Sequence, residues 1–469
     1  MKIAVLNGSP KGELSFTLQY VQYIKQFHPE HEWVILDVAK KIKKLERRDT
    51  EFQAVIEEIK SADGVLWSFG LYVLCVPSQY MRFIELISEK KVRDAFKGKY
   101  TGIISSSIHY YDHTAHQYLR AECEDLEMKF IDGISVYLND YRLKEIRHLL
   151  RIFMENFLNS IENQETTTKL YSPLQFSDFN YKPSTPNQRI DKTDKKIVVL
   201  TDEYNPSSNL GKMISRFNES FSNDIEIIDL NTIEIKGGCL GCMRCGYDYN
   251  CVYKDEFKDV YNNRIKTADI IIFAGTMKGR YLSAKWKQFY DRSFFWNHTP
   301  SLAGKQIGYL ISGPLSQNQN LIEILEASAT TRQDANFAGM ITDEIADSKV
   351  LDEQLYSFAR QILYFSERDY IRPQNFLGVG GHKVFRDEIW GPIRMIWQAD
   401  HRYFRKHGKY DFPQTRYFIR IGNFFILLLC KIPRFRKKFY NNLKSMPANR
   451  MKNSLDKAAL KEIRAAKAS

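Results

Sequence analysis

Two short signatures recur in this chain at one fixed displacement, and they constrain its fold more than any other feature. Ala62-Asp63 returns as Ala268-Asp269, and Gly98-Lys99-x-x-Gly102 returns as Gly304-Lys305-x-x-Gly308, each 206 positions later. The opening apolar runs at 3–6 and 197–200 are displaced by only 194. One short match could arise by chance, but a shared offset at two separate places reads as a duplicated unit. The second copy has then gained about 12 residues between its first and third strands.

Short apolar runs alternate with helical stretches inside each copy. In the first, 2–6, 32–37, 64–69, 100–105 and 130–137 predict buried strands, while 15–27, 50–61, 78–90, 114–126 and 142–161 predict helices. Continuous apolar strands separated by helices predict a parallel sheet covered on both faces. The expectation is an α/β chain of two tandem flavodoxin-like, doubly wound parallel sheets followed by a mainly helical basic extension. The boundaries read as 1–163, a linker at 164–194 rich in Thr, Ser, Pro and Asn, 195–368, and an extension at 369–469.

The charge is uneven. Residues 371–469 carry 22 Lys and Arg against 6 Asp and Glu, a balance of +16. The whole chain is +12, so residues 1–370 carry −4. Basic character confined to the tail removes the support for a nucleic-acid partner. The apolar run at the start is too short for a secretory signal, which leads us to expect a reducing, cytoplasmic setting. Four of the seven cysteines fall between Cys239 and Cys251, and in such a setting clustered thiols read as metal ligands before disulfides.

After the first strand comes Asn7-Gly8-Ser9-Pro10-Lys11-Gly12-Glu13-Leu14-Ser15-Phe16-Thr17, leading into a helix. Free amides at a helix N-terminus attract an anion, and Ser9, Ser15, Thr17 and Lys11 add donors suited to one terminal phosphate. An equally good reading makes Ser15 a helix cap and Gly8-Ser9-Pro10 a turn. Gly-Ser-Pro-Lys followed by Ser-x-Thr resembles the NADPH-dependent FMN reductases. That resemblance implies FMN across the carboxyl ends of the strands, with NAD(P)H as co-substrate. Tyr72-x-x-x-x-Pro77-Ser78-Gln79 resembles the family's loop against the isoalloxazine ring, although Gly70 replaces its first proline. Ser105-Ser106-Ser107-Ile108-His109 stands at the third flavin loop without the usual glycines. The resemblance thus implies Tyr72, Pro77 and Ser106 as flavin contacts, while His109 reads as a surface histidine. In the second copy Asp202 and Glu203 stand at the phosphate position, and Lys278 and Ser283 replace Tyr72 and Pro77. That copy is not favoured as a flavin site.

Cys239, Cys242 and Cys245 at three-residue spacing, closed by Cys251, suit a cubane [4Fe–4S] centre better than structural zinc, whose ligands usually form two separated pairs. A redox disulfide leaves two thiols unexplained. The run 238–252, with Thr267-Ala268-Asp269 and 286–292, is similar to the iron–sulfur flavoproteins. This implies FMN and a cluster working together near an interface between flavodoxin-like units, here a fused pseudo-dimer.

The resulting expectation is an NAD(P)H- or ferredoxin-linked flavin oxidoreductase reducing a quinone or another small acceptor. The alternatives are an electron carrier without its own substrate, or a zinc-stabilised binding or sensor module. No Ser-His-Asp set or pair of carboxylates stands out, so no catalytic side chain is assigned. Self-association into a homo-oligomer is left open. The segment 380–408, dense in aromatics, Arg and His, reads as an extension packed on the second domain, with a cap over the flavin as the functional reading. The apolar run 417–432 is shorter than a bilayer span and is followed by Lys431, Arg434, Arg436, Lys437 and Lys438. It suits peripheral contact with the inner face of a membrane and, equally, docking on protein.

Overall fold

The computed structural model describes residues 1–137 and 140–442. The end of the basic extension, 443–469, lies outside the described residues. By internal contacts the chain divides into two compact units, Met1–His407 and Gly408–Ser469.

The first unit holds two five-stranded, all-parallel sheets. The first comprises β1 (Lys2–Asn7), β2 (Glu32–Leu36), β3 (Gly64–Gly70), β4 (Tyr100–Ser107) and β5 (Lys129–Tyr137), in the order β2-β1-β3-β4-β5. Its helices are α1 (Phe16–Lys25), α2 (Ile42–Arg47), α3 (Asp49–Ser61), α4 (Ser78–Glu89), α5 (Asp112–Asp125) and α6 (Lys144–Glu162). The second sheet comprises β6 (Ile197–Thr201), β7 (Glu226–Asp229), β8 (Ile270–Thr276), β9 (Gln306–Ser312) and β10 (Asn336–Thr342), in the order β7-β6-β8-β9-β10. Its helices are α7 (Asn209–Glu219), the short α8 (Phe257–Val260), α9 (Ala284–Ser293), α10 (Gln319–Ala329) and α11 (Ser348–Glu367). Read by sequence position within each half, the two strand orders are the same. The central strands are buried along most of their length, as the near-continuous Val, Ile and Leu runs require when helices cover both faces.

Strand register locates the extra residues of the second half. Ile3 pairs with Gly64 and Ile197 pairs with Ile270, so the path from first to third strand runs 12 residues longer in the second half. The four clustered cysteines lie on that longer path. The linker is not a free spacer. Buried Tyr181 bonds Asp352 of α11, and the backbone N–H groups of Leu170 and Tyr171 both donate to Glu124 of α5 at 2.8 Å.

The two halves face each other through equivalent elements: α4 packs on α9, and α5 packs on α10. The pairing is reciprocal down to single atoms. The N–H of Ser78 at the start of α4 donates to Asp291 of α9 at 2.7 Å, and that of Ala284 at the start of α9 donates to Glu85 of α4 at 2.5 Å. Ser78 and Ala284 are 206 positions apart, and so are Glu85 and Asp291. Each helix N-terminus, which lacks intrahelical acceptors for its first amides, is therefore capped by a carboxylate from the other half.

Beyond α11 come α12 (Phe376–Trp390) and α13 (Gln398–Lys406), still within the first unit. The second unit contains α14 (Tyr417–Leu429) and α15 (Pro433–Asn442). No described helix is long and apolar enough to cross a membrane.

Candidate functional site: two loops of the first half and a cysteine loop

The carboxyl edge of the first sheet is organised by buried Asn7, the last residue of β1. Its side-chain amide donates to Gly12 O at 3.1 Å and to Asp37 at 2.6 Å, while its oxygen accepts from Ser9 N at 3.2 Å. The loop is thereby bent tightly over the sheet. A Cβ on Gly8 would overlap the ring of Tyr80, and Gly12 has φ of +59°, so this path requires glycine at both positions.

The loop hydroxyls are fixed by hydrogen bonds within the fold. Ser15 caps α1, its Oγ accepting from Leu18 N at 3.3 Å. Ser9 Oγ accepts from Lys11 N at 3.3 Å. Thr17 Oγ1 donates to Phe69 O at 2.9 Å and lies 2.6 Å from Ser106 Oγ, joining the first loop to the third. Ser9, Ser15, Thr17 and Ser106 are all buried at one sheet edge, where the amides of Phe16 and Thr17 at the start of α1 have no intrahelical acceptor. This is a donor-rich concentration suited to an anion.

The loop after β3 carries Tyr72. Its backbone exchanges hydrogen bonds with Cys75 in both directions, at 2.9 and 3.0 Å, closing a turn through Val73 and Leu74. Both turn residues have positive φ, 31° and 63°. A β-branched residue in that region is strained, and such strain concentrates at functional sites. Pro77 precedes the first residue of α4 and so places Ser78 and Gln79 beside the second half. His109 lies within 2.7 Å of Asp112 and is half exposed, matching the surface reading.

The cysteine loop of the second half lies directly on these elements. A Cβ on Gly238 would overlap Ser78 Oγ, and Gln79 Nε2 donates to Cys239 O at 3.0 Å. A Cβ on Gly241 would overlap Tyr72 Oη and come within 2.9 Å of Lys11 Cε, and Gly241 has φ of +61°. Sequence reading expected Lys11 at a phosphate; the structure also sets its ammonium beside Cys239 and Cys242, whose charges oppose the lowering of its pKa by burial. Burial pushes the Cys239 thiol up to about 12 and raises that of Cys245, with the neighbouring cysteines adding to both shifts. Four cysteines gathered on one loop, of which Cys239 and Cys245 sit where burial disfavours the anion, form a donor set that could hold a cation.

The cysteine spacing bears on which cation. A tetrahedral zinc with bonds near 2.3 Å draws its sulfurs to about 3.8 Å of one another. Among the described residues, the group of three His, Cys, Asp or Glu ligand atoms within 4.8 Å of one another is His28, Glu30 and His31, and the four cysteines do not form such a group. Tyr72 Oη is buried without a hydrogen-bonding partner at this junction, and burial holds its pKa well above the ordinary value. An orphaned phenol beside gathered thiols and a donor-rich loop fits a site shaped for bound groups.

The corresponding edge of the second sheet is occupied by carboxylates. Asp202 bonds Ser283, and Asp343 accepts from Gly313 N at 2.9 Å, Ser312 Oγ at 2.7 Å and Asn209 Nδ2 at 2.9 Å. The amide and hydroxyls at that sheet edge thus already face carboxylates. Lys278 and Tyr281 form the counterpart of the Tyr72 turn, with a 2.9 Å bond from Lys278 N to Tyr281 O.

Three features escaped sequence reading. Lys287 is buried, pairs with Asp291 and donates to Tyr72 O at 2.8 Å, tying the Tyr72 turn to α9. Arg292 forms a two-pronged pair with Asp255 at 2.8 and 2.9 Å and bonds Gly237 O at 3.0 Å, anchoring the start of the cysteine loop. The third is the extension. Phe385 of α12 lies 4.2 Å from both Tyr110 of the first half and His298 of the second. Tyr137 Oη donates to Glu388 at 2.8 Å, and buried Asp400 lies 2.7 Å from His298 Nδ1. The α12–α13 segment therefore bridges both halves beside the loop that follows β4, rather than packing on the second alone. The shared displacement of Glu85 and Asp291 was the signal available for the interface; nothing in the sequence marks the Phe385 contacts.

Residues 1–142 match the family model for NADPH-dependent FMN reductase. Among solved structures, similarity extends to FerB, an NAD(P)H:(acceptor) oxidoreductase flavoenzyme from Paracoccus denitrificans, at 15% identity, covering 34% of this chain and 97% of that one, with a TM-score of 0.29. It extends also to the apo form of the NADH:FMN oxidoreductase EMOB, at 15% identity over 34% and 89% of the two chains, TM-score 0.30. General stress protein 14 of Treponema denticola, in complex with FMN, is similar at 10% identity over 35% and 99%, TM-score 0.26. A search of curated proteins finds no match.

Proposed function

We propose that this chain, whose residues 1–142 match the family model for NADPH-dependent FMN reductase, is an NAD(P)H-dependent FMN oxidoreductase with a [4Fe–4S] cluster on its second half. FMN would be held on the first half by the 8–17 loop, Tyr72 and Ser106, and the cluster by Cys239, Cys242, Cys245 and Cys251. The observation that carries this reading is the seating of Gly241, between Cys239 and Cys242, against Tyr72 and Lys11. It sets the cysteine loop of one half on Lys11 and the Tyr72 turn of the other, which supports a path between the two proposed groups. FMN, when bound, takes a two-electron hydride from a nicotinamide and can pass electrons singly to an iron–sulfur centre.

The chain's own residues contribute position and charge. Thr17 and Ser106 lock two flavin loops together, Lys287 and Asp291 fix the Tyr72 turn, and Lys11 supplies a cation where thiolate or phosphate charge gathers. The α12–α13 bridge supports an enzyme over a bare electron carrier, because it walls the region beside the third flavin loop as a small acceptor such as a quinone requires. The electron donor under this reading is NAD(P)H or a ferredoxin-type protein.

The test is purification without oxygen, followed by iron, acid-labile sulfide, zinc and flavin assays. Iron and sulfide together with FMN are expected. Cys242→Ala and Cys245→Ala should lose iron while retaining FMN. Stoichiometric zinc without sulfide would refute the cluster, and absence of FMN would refute the flavin assignment.

A further inference from the structure

We infer that α14 and α15 form an anionic-lipid-binding module that attaches this protein reversibly to a membrane surface. The inference does not rest on the flavin or cluster assignments. In α14 no residue is buried: Phe418 is 92% exposed, Leu427 68%, and Phe424, Phe425, Ile419 and Ile421 more than half. An uncovered apolar surface of this kind on a folded protein marks an interaction site.

The arrangement of side chains identifies what covers it. Arg416, Arg420 and Asn423 follow one another at four- and three-residue steps, so they share a narrow polar stripe along the helix. The rest of the circumference carries Phe418, Ile421, Phe425, Leu428 and Leu429. At 13 residues α14 is about 20 Å long, well short of the roughly 30 Å hydrocarbon core. A short helix with a wide apolar face and a basic stripe lies in the interfacial plane rather than across the bilayer.

Charge then selects the lipid. From Phe412 to Asn442 there are seven basic residues, Arg416, Arg420, Lys431, Arg434, Arg436, Lys437 and Lys438, and no acidic one. In α15, Phe435 and Phe439 lie on one side with ring centroids 6.1 Å apart, while Arg434, Lys437 and Lys438 fall on another by helical spacing. This repeats the apolar-plus-basic pattern immediately after α14. A protein partner would need a strongly acidic apolar groove; an anionic leaflet supplies both features over any area.

The test is co-sedimentation of the full chain with phosphatidylcholine vesicles with and without phosphatidylglycerol, at low and high salt. Binding to the anionic vesicles alone, weakened by salt, is expected. Lys437→Gln/Lys438→Gln should partition about 30-fold more weakly, and Phe425→Asp/Leu428→Asp should remain in the supernatant, each with unchanged flavin content and melting temperature. Equal binding to neutral vesicles, no binding at all, or undiminished binding by both variants would overturn the inference. So would a lipid-independent dimer that Phe425→Asp/Leu428→Asp converts to monomer, since α14 would then be covered by a second copy.

Discussion

Asp291 of the second half accepts the backbone N–H of Ser78 in the first at 2.7 Å, while pairing on its other side with buried Lys287. Burial raises the Asp291 pKa, and the lysine and the amide oppose that shift. One carboxylate therefore joins a helix cap, an ion pair and, through Lys287, the Tyr72 turn.

Removing one partner of a buried ion pair leaves the other uncompensated and costs about 3–5 kcal/mol. Asp291→Ala should lower the denaturation midpoint accordingly and weaken FMN retention through the Tyr72 turn. Asp291→Asn, which preserves an acceptor for Ser78, should lose distinctly less. Urea titration followed by flavin fluorescence reads both effects.

Gly241→Ala introduces a Cβ into the position of Tyr72 Oη on a backbone with φ of +61°. It should lower the melting temperature and reduce bound FMN. Tyr72→Phe removes the overlapped atom, so the double variant should recover most of the loss. What remains would be the conformational cost of alanine at positive φ, about 1–2 kcal/mol. Equal stability of single and double variants would mean that the two residues do not press on each other.

Flavin stoichiometry should be one FMN per chain, not two, because Asp202 and Asp343 place carboxylates at the corresponding edge of the second half. Ser9→Glu puts an acid beside the phosphate loop of the first half and should take the ratio toward zero. Absorbance of the flavin released by denaturation gives both numbers.

Glu122 of α5 accepts the N–H of Arg280 at 3.1 Å, and burial pushes its pKa up to about 7 from an ordinary 4.5. A carboxyl raised in the folded state contributes stability below pH 4.5 that is lost as pH rises to 7, since the unfolded chain releases its proton first. Glu122→Gln keeps the acceptor and removes the titration. It should match the parent near pH 4.5 and exceed it by about 1–3 kcal/mol at pH 8, as measured by denaturation midpoints across that range.

Much of the fold was legible because parallel strands buried on both faces leave an unambiguous pattern. The runs at 2–6, 64–69 and 100–105 extend by only one or two residues in β1, β3 and β4. The short α2 was not foreseen, since Ile42 and Leu45 are too few apolar residues to set a period. The site was half legible. Ser9, Ser15, Thr17, Tyr72 and Ser106 do share one sheet edge, because backbone turns near their own strands place them there. What no local pattern encodes is the far side of a contact: that Gly241 meets Tyr72, that Lys287 reaches the Tyr72 carbonyl, or that Phe385 inserts between Tyr110 and His298. Tyr181 was read as linker for the same reason, its buried partner Asp352 being 171 residues away.

The reciprocal capping by Glu85 and Asp291 also bears on how the protein can change. In a dimer of identical subunits any substitution appears at both symmetry-related places, so an alteration that helps one and harms the other cannot be retained. Joining the halves in one polypeptide lifts that coupling. Here the cysteine loop seats on the Tyr72 turn of one half while acids fill the corresponding edge of the other, and the capping carboxylates Glu85 and Asp291 stand on both sides.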